Sequence, residues 1–338
     1  MGIGTHSGRQ AGRRIGKRLL RGGIAVAASG TIAATALAGV ASAATGGGYQ
    51  YVTLGSHHDR TFNQLLGINN EGKVAAYFGS GNAGHPNKGY TMVSPYQQND
   101  ITGENFPGSR QTQVTGLNDH GVTVGFFSTM NGATPADDNN FGFVDMGGRF
   151  TRVDFPTTDN AAPPVNQLLG VNNHNVAVGF YVNGQGQTRG YEYNIARKSF
   201  TRVTEPGAPT GGKAPNLTAA AINDNGDVAG FYNVNANLVD GFLKLKNGTF
   251  IKIQVPGAAM TQAFGVNNHD TVAGTYTMAD GSTHGFIFRI GGALVTNVDD
   301  PNGVGTTLLN GINNEGDIVG FYTDAAGNTD GLLAYPAF

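Results

Sequence analysis

An all-β fold made from six copies of one four-stranded unit is what the sequence predicts, and three observations predict it. Glycine supplies 54 of 338 residues while charged residues reach only 13%, about twice and half of ordinary usage. One phrase recurs six times along the chain. A strand missing from the last copy stands ahead of the first.

Composition narrows the field before any motif does. Each helix-interior glycine costs about 1 kcal/mol, so a chain this rich in glycine is no helical bundle. With no cysteine, a disulfide scaffold and thiolate-ligated metals are excluded. The glycines lack the period of three that collagen demands. Short strands joined by tight turns remain.

Residues 1–43 read as an export signal. Arg9, Arg13, Arg14, Lys17, Arg18 and Arg21 form a basic start without an acid. An Ala/Gly-rich apolar stretch follows from Gly22 to Val40 and ends at Ala41-Ser42-Ala43, a small-x-small cleavage site. The stretch is short and dilute in large apolar residues, which disfavours a membrane span. Arg13-Arg14 suits the twin-arginine route, but Ile15-Gly16-Lys17 departs from that motif, so Sec and twin-arginine export both stay open. The expected location is extracellular. This segment holds six of the 21 basic residues and none of the 23 acidic ones, so the remainder is acidic. It has no phosphate-neutralising patch, and nucleic acid is not an expected partner.

The repeat begins at Gly67 (Gly-Ile-Asn-Asn-Glu-Gly-Lys-Val-Ala-Ala-Tyr-Phe) and returns at Gly116, Gly170, Ala221, Gly265 and Gly311, at offsets of 49, 54, 51, 44 and 46. Six such units account for residues 44–338 as a single domain. In each unit the first strand ends in the Gly-apolar-Asn phrase. The second is an apolar run such as Val176–Tyr181. The third starts at Gly89, Gly142, Gly190, Gly241, Gly285 or Gly331. The fourth alternates, as in Phe150–Pro156, Phe200–Pro206 and Phe250–Pro256, and more loosely in Ile101–Pro107 and Val295–Pro301.

The first turn of each unit can be read chemically. Three residues after Asn69, Asn118, Asn172, Asn223, Asn267 and Asn313 stand Gly72, Gly121, Asn175, Gly226, Asp270 and Gly316. Only residues that tolerate a left-handed backbone occur there. Gly281, in a variable loop, is expected to tolerate a side chain. Four residues past each turn position come Ala76, Gly125, Gly179, Gly230, Gly274 and Gly320, predicting close backbone approach or crowding near an axis. The sixth unit runs out before a fourth strand, and Tyr49–Leu54 fits that strand's pattern. The N-terminal strand pairing beside the C-terminal ones leaves no open edge. The predicted architecture is a six-bladed β-propeller closed by that pairing. An open β-solenoid leaves the spare strand unexplained.

The Gly-Ile-Asn-x-x-Gly-x-Val-x-Gly-x-Tyr phrase, His284-Gly285-Phe286 and the Phe-Thr-x-Val-Asp-x-Pro segment resemble the bacterial extracellular HAF repeat family. The resemblance covers all six units, from about Tyr49 to Phe338, and implies export and propeller geometry; it brings no catalytic residues. Its eponymous His occurs once, at His284, where other units carry Lys88, Phe141, Arg189, Asp240 and Asp330.

Other motifs carry little chemistry. Gly79-Ser-Gly81-Asn-Ala-Gly84 matches a dinucleotide fingerprint, and Gly207–Ala214 nearly matches a phosphate loop, but no helix follows either. Asn223–Asp227 and Asp324–Asp330 read as turns more readily than as calcium loops. His120, His174 and His269 occupy a turn position where other units have Glu or Asn, so they read as exposed. There is no nucleophile elbow and no zinc-protease motif. The cluster His57-His58-Asp59-Arg60 breaks the repeat pattern. No cofactor or metal site is expected, and a monomer is. The loops between strands two and three, and those joining strand four to the next unit, vary most. They carry Asp138, Arg189, Asp240 and Asp330, and the candidate ligand-binding residues His58, Arg60, His85, Arg110, Lys213 and His284. The expected function is a non-catalytic module binding a glycan, a wall component or a protein. An extracellular polysaccharide hydrolase or lyase is the alternative, and the residues leave the choice of enzyme or binder open.

Overall fold

A computed structural model describes residues 44–46, 48–132, 137–205 and 215–337. The export segment therefore lies outside the described residues. Strands β1 (Ala44–Gly46) and β2 (Tyr49–Leu54) come first. The first repeat forms β3 (Asn63–Ile68), β4 (Val74–Phe78), β5 (Lys88–Met92) and β6 (Ile101–Gly103). The second forms β7 (Gln111–Leu117), β8 (Val122–Ser128), β9 (Phe141–Met146) and β10 (Phe150–Val153). The third gives β11 (Asn166–Val171), β12 (Val176–Val182), β13 (Thr188–Asn194) and β14 (Ser199–Arg202). The fourth gives β15 (Leu217–Ile222), β16 (Val228–Asn235), β17 (Leu238–Lys244) and β18 (Phe250–Ile253). In the fifth are β19 (Met260–Val266), β20 (Thr271–Thr277), β21 (Thr283–Arg289) and β22 (Leu294–Thr296). The last holds β23 (Thr307–Ile312), β24 (Ile318–Thr323) and β25 (Thr329–Pro336).

Within each repeat the strands pair antiparallel in chain order, and a one-residue parallel bridge from Val239 to Met260 joins the fourth sheet to the fifth. Strand β2 pairs antiparallel along β25, from Tyr49 opposite Pro336 to Leu54 opposite Gly331. Strand β1 adds outside β2. Nothing in Ala44-Thr45-Gly46 alternates, so the sequence reading missed it. Fourth strands are shorter than their sequence pattern suggests, β10 ending at Val153 and β18 at Ile253. The chain turns inward there: Asn166 Nδ2 donates to the Val153 carbonyl and Asn166 Oδ1 accepts the Phe155 N–H. Third strands, in turn, start one to three residues ahead of their glycine.

All six turn positions are left-handed, with φ of 75° at Gly72, 76° at Gly121, 56° at Asn175, 87° at Gly226, 54° at Asp270 and 88° at Gly316. Gly281 is left-handed too, at φ 91°, because its loop closes through the Gly281 N–H onto the Met278 carbonyl. It is thus no indifferent loop glycine. The small residue on each second strand has a local cause. Every first strand carries a bulge, at Leu65/Gly67 in the first repeat and its equivalents in the rest. The opposing carbonyl is driven under the second strand, so a Cβ on Gly125, Gly179 or Gly320 would lie within 2.0 Å of it. The crowding expected near an axis falls on the bulge residues instead. A Cβ on Gly67 would be 3.1 Å from Gly116 Cα, and one on Gly311 would be 3.1 Å from Gly67 Cα.

The core forms between successive sheets. Val122, Val124 and Val144 of the second repeat pack on Leu168, Tyr181 and Tyr191 of the third. Leu65, Val74 and Tyr90 of the first pack on Val319 and Leu333 of the last. Each four-stranded sheet is too thin to bury its own apolar faces, so stability resides in these shared layers.

Candidate functional site

Antiparallel pairing gives each repeat two ends. One holds the Asn turn between strands one and two. The other holds the loop between strands two and three and the connector to the next repeat.

The Asn end is built from hydrogen bonds. Asn118 Oδ1 accepts the N–H groups of His120 and Val122 in its own turn, each at 3.0 Å. Its Nδ2 donates to the Asn172 carbonyl of the next repeat at 2.9 Å. Asn172, Asn223 and Asn267 pass the same bond onward, and Asn313 returns it to Asn69, which donates to Asn118. The following residue makes a second relay. The N–H of Asn70 donates to Asp119 Oδ1, and those of Asp119, Asn173, Asp224 and Asn268 donate to the side-chain oxygens of Asn173, Asp224, Asn268 and Asn314; the Asn314 N–H then donates to Asn70 Oδ1. Burial pushes the Asp119 carboxyl upward, but hydrogen bonds from Asn173 and Asn70 outweigh it and hold the group below its ordinary range. These side chains surround a polar cavity of about 70 Å³. Their first oxygens are already engaged with neighbouring backbone, so the arrangement is structural. His120, His174 and His269 are exposed at this end.

The loop end has a constant layer and a variable one. Across β4/β5 and its equivalents, Phe78, Phe127, Tyr181, Tyr232, Tyr276 and Tyr322 face Lys88, Phe141, Arg189, Asp240, His284 and Asp330. An aromatic thus recurs on the second strand while the third-strand residue changes charge from repeat to repeat. Several variable residues are committed internally. Arg189 donates to the Pro215 carbonyl at 2.9 Å and to Gln187 Oε1 at 2.6 Å, and burial pulls its guanidinium below the usual range. Lys252 Nζ lies 2.6 Å from buried Asp240. Asp138 accepts from Gln111 and from the Gly132 N–H, and burial raises its carboxyl. Burial, with Asp324 and Asp300 nearby, pushes Asp330 up to about 6.

The candidate ligand-binding residues are spread over this end. His58 is exposed and its ring stacks on Phe78 at 5.7 Å. Arg60 and Arg110 are exposed, and the Arg110 carbonyl accepts from Lys88 Nζ. His85 Nε2 lies 2.6 Å from Asp59 Oδ2. His284 Nδ1 lies 2.7 Å from Asp299 Oδ2, with its ring 5.3 Å from that of Tyr276. Lys213 and the phosphate-loop-like segment fall outside the described residues. The first-repeat connector and loop thus bring Asp59 to His85, whereas His284 belongs to the fifth repeat. Sequence reading missed Asp59, Ser80 and Asp299 as partners, because Asp59 and Asp299 reach their histidines from the connectors and Ser80 meets His85 only where its loop folds back on itself. It also missed the second residue of each Asn turn, although a signal existed: only Asn or Asp stands at 70, 119, 173, 224, 268 and 314.

No family model and no curated protein matches the sequence. Solved structures do. A protein of unknown function from Dyadobacter fermentans superposes with a TM-score of 0.53 at 9% identity, over 86% of this chain and 99% of its own. AofleA from Arthrobotrys oligospora gives 0.51 at 11%, over 84% and 86%. The Aleuria aurantia lectin, solved with Fucα1-6GlcNAc, gives 0.46 at 10%, over 81% and 96%. The chain spans about half, 55%, of the TolB structure from Acinetobacter baumannii that it also matches. At such identities the likeness to the first two proteins shows a shared all-β fold. Among the described residues no helix is long and apolar enough to cross a membrane.

Proposed function

We propose that the chain is an exported, monomeric six-bladed β-propeller of the HAF repeat type, closed by its N-terminal strand, whose loop end binds an extracellular glycan, wall component or protein. Closure is supported by the β2–β25 pairing and by two hydrogen-bond relays that return to their starting repeats. Export is supported by the basic, then apolar, then small-residue order of residues 1–43.

The observation that carries the binding reading is the asymmetry of the two ends. Repeated Asn and Asp side chains at one end are consumed in joining neighbouring repeats. The other end sets residues of five types, Lys88, Phe141, Arg189, Asp240, His284 and Asp330, with only Asp repeated, on a constant aromatic layer. Selection for stacking repeats alone would leave both ends equally uniform. Pull-down of the exported chain on a panel of plant and microbial polysaccharides and cell-wall preparations tests this. Retention by at least one of them, reduced in graded steps by His58→Ala, Arg60→Ala, Arg110→Ala and His284→Ala, is the expected result. No retention by any polymer, or retention that these variants leave untouched, would overturn it.

A further inference from the structure

Among the described residues, the glycine loop after β4 has no counterpart in the other repeats, and it folds a histidine back onto a serine. Gly79 and Gly81 both take left-handed backbones, φ 94° and 76°, on either side of Ser80. A Cβ on Gly79 would lie 2.3 Å from the Pro86 carbonyl oxygen, so only glycine allows this return. The Gly81 N–H donates to the His85 carbonyl and the His85 N–H to the Asn82 carbonyl, each at 2.9 Å. The result places Ser80 Oγ 3.0 Å from His85 Nδ1. The other ring nitrogen, Nε2, lies 2.6 Å from Asp59 Oδ2.

The surrounding bonds settle the direction of this relay. The Ser80 backbone N–H points at His85 Nδ1 from 3.2 Å, which requires a lone pair there. The proton of the neutral imidazole therefore sits on Nε2, 2.6 Å from Asp59 Oδ2 but not aligned into a hydrogen bond with it. Asp59 is itself fixed: its Oδ1 accepts the Thr61 N–H and hydroxyl, each at 2.8 Å, and the Phe62 N–H at 3.1 Å. Its side chain is 5% exposed, whereas that of His85 is 44% exposed. Asn82 Nδ2 donates to Ser80 Oγ at 3.2 Å, leaving the hydroxyl proton free to go to His85. Nucleophile and base are thus in the order that activates a serine, with a buried carboxylate beside the far side of the base.

We propose that Ser80, His85 and Asp59 form an acyl-hydrolase site for small ester-linked acyl groups presented at the loop end. Ser80 Oγ attacks the ester carbonyl as its proton passes to His85 Nδ1. The imidazolium then gives that proton to the departing alcohol oxygen, leaving acyl-Ser80. Water, deprotonated by His85, attacks the acyl carbon; the carboxylic acid leaves and Ser80 recovers its proton. Asp59, with Oδ2 2.6 Å from Nε2, provides a negative charge beside the ring as the imidazolium forms, acting as a positioning residue. A Cβ added at Gly84 would meet nothing within 4 Å, and the half-buried Ser80 and His85 beside it suit a small acyl group, such as acetyl, carried on a polymer. This activity stands beside the binding reading and does not depend on it.

The fifth repeat supplies an internal control. His284 contacts both Asp299 and Ser282 Oγ, but the Ser282 hydroxyl donates to Asp280 Oδ1 at 2.8 Å. Its proton is already committed to a carboxylate, so Ser282 is not activated. The test treats the full chain with a fluorophosphonate probe and locates the adduct by peptide mass spectrometry, with p-nitrophenyl acetate hydrolysis measured alongside. An adduct on Ser80 and not on Ser282 is expected, with hydrolysis abolished by Ser80→Ala. His85→Gln should slow both by 10²-fold or more, an effect of the size typical of a lost general base. Asp59→Asn should lower kcat for p-nitrophenyl acetate while leaving KM unchanged, since it removes the carboxylate beside the ring and leaves Arg60, on its connector, and Lys88, after the loop, in place. Loss of packing alone would lower the melting temperature and raise KM as well. Melting curves of Ser80→Ala and His85→Gln confirm that each variant is folded. No adduct on Ser80 of the wild-type chain, or labelling that His85→Gln leaves unchanged, overturns the proposal.

Discussion

Replacing Asn118 separates what its side chain does within its own turn from what it does between repeats. Asn118 is 3% exposed. Asn118→Ala strands the buried Val122 N–H, frees the His120 N–H and removes the donor to the Asn172 carbonyl. Counting about 1 kcal/mol for each lost bond, with the buried groups at the upper end, gives about 3 kcal/mol. A domain of this size loses about 2–4 °C of Tm per kcal/mol, so the melt should fall by roughly 6–12 °C. Asn118→Asp keeps the Oδ1 acceptor and so preserves the turn. It places a carboxylate oxygen where Nδ2 now donates to Asn172 O at 2.9 Å and to Asn175 Oδ1 at 3.1 Å. If joining repeats matters as much as capping the turn, this variant should lose at least half as much as alanine. Thermal melts followed by circular dichroism read both. An Asn118→Asp melt within about 1 °C of wild type would refute the reasoning and leave the side chain as a turn cap alone.

Three further predictions follow from the geometry. Gly226→Val forces a β-branched residue to φ 87° and should cost about 1–3 kcal/mol, whereas Gly103→Val, whose added Cβ would meet only the Asn105 carboxamide at 3.9 Å, should melt near wild type; equal melts would contradict the left-handed assignment. Deleting Tyr49–Leu54 removes the partner of β25 along its length and should lower the melt of the whole chain, so an unchanged melt would deny β2 a structural role. Asp330, raised to about 6 by burial and by Asp324 and Asp300, binds its proton more tightly folded than unfolded. Its ionisation therefore costs stability above pH 6, of the order of 2 kcal/mol, and the cost disappears as pH falls from 6 toward 4. Asp330→Asn should gain stability relative to wild type at pH 7 and lose that advantage near pH 4, whereas an advantage independent of pH would contradict the assignment.

The repeat and its turns were legible because they are written in residues with few backbone options. A position restricted to Gly, Asn and Asp in six copies can only be a left-handed one, and all six are. The spare strand at Tyr49–Leu54 was legible from its alternation. Less was readable where side chains meet across repeats. The relay through Asn70, Asp119 and Asn173 hides behind turn-forming residues, since Asn and Asp would be chosen there for the turn alone. Gly125 and its equivalents were read as close approaches, correctly, but the cause is a bulge in the adjacent strand, which leaves no mark on the second strand itself. The candidate site was the least legible. His85 and the Asp59 cluster each stood out in the sequence, but their meeting did not, because it depends on two left-handed glycines that return the loop on itself. Asp240 and Arg189 look like surface charges in sequence, yet the structure buries both.

The claim at the centre of this account is that the variable loop end meets the ligand and the Asn end holds the repeats together. Hydrogen–deuterium exchange of the full chain, with and without the polysaccharide that retains it, tests this directly. The account predicts slowed exchange in peptides covering residues 79–87, 106–111 and 279–285, with the Asn turns at 69–73, 118–122 and 172–176 unchanged. Protection confined to those Asn turns, with the loops unaffected, would contradict it.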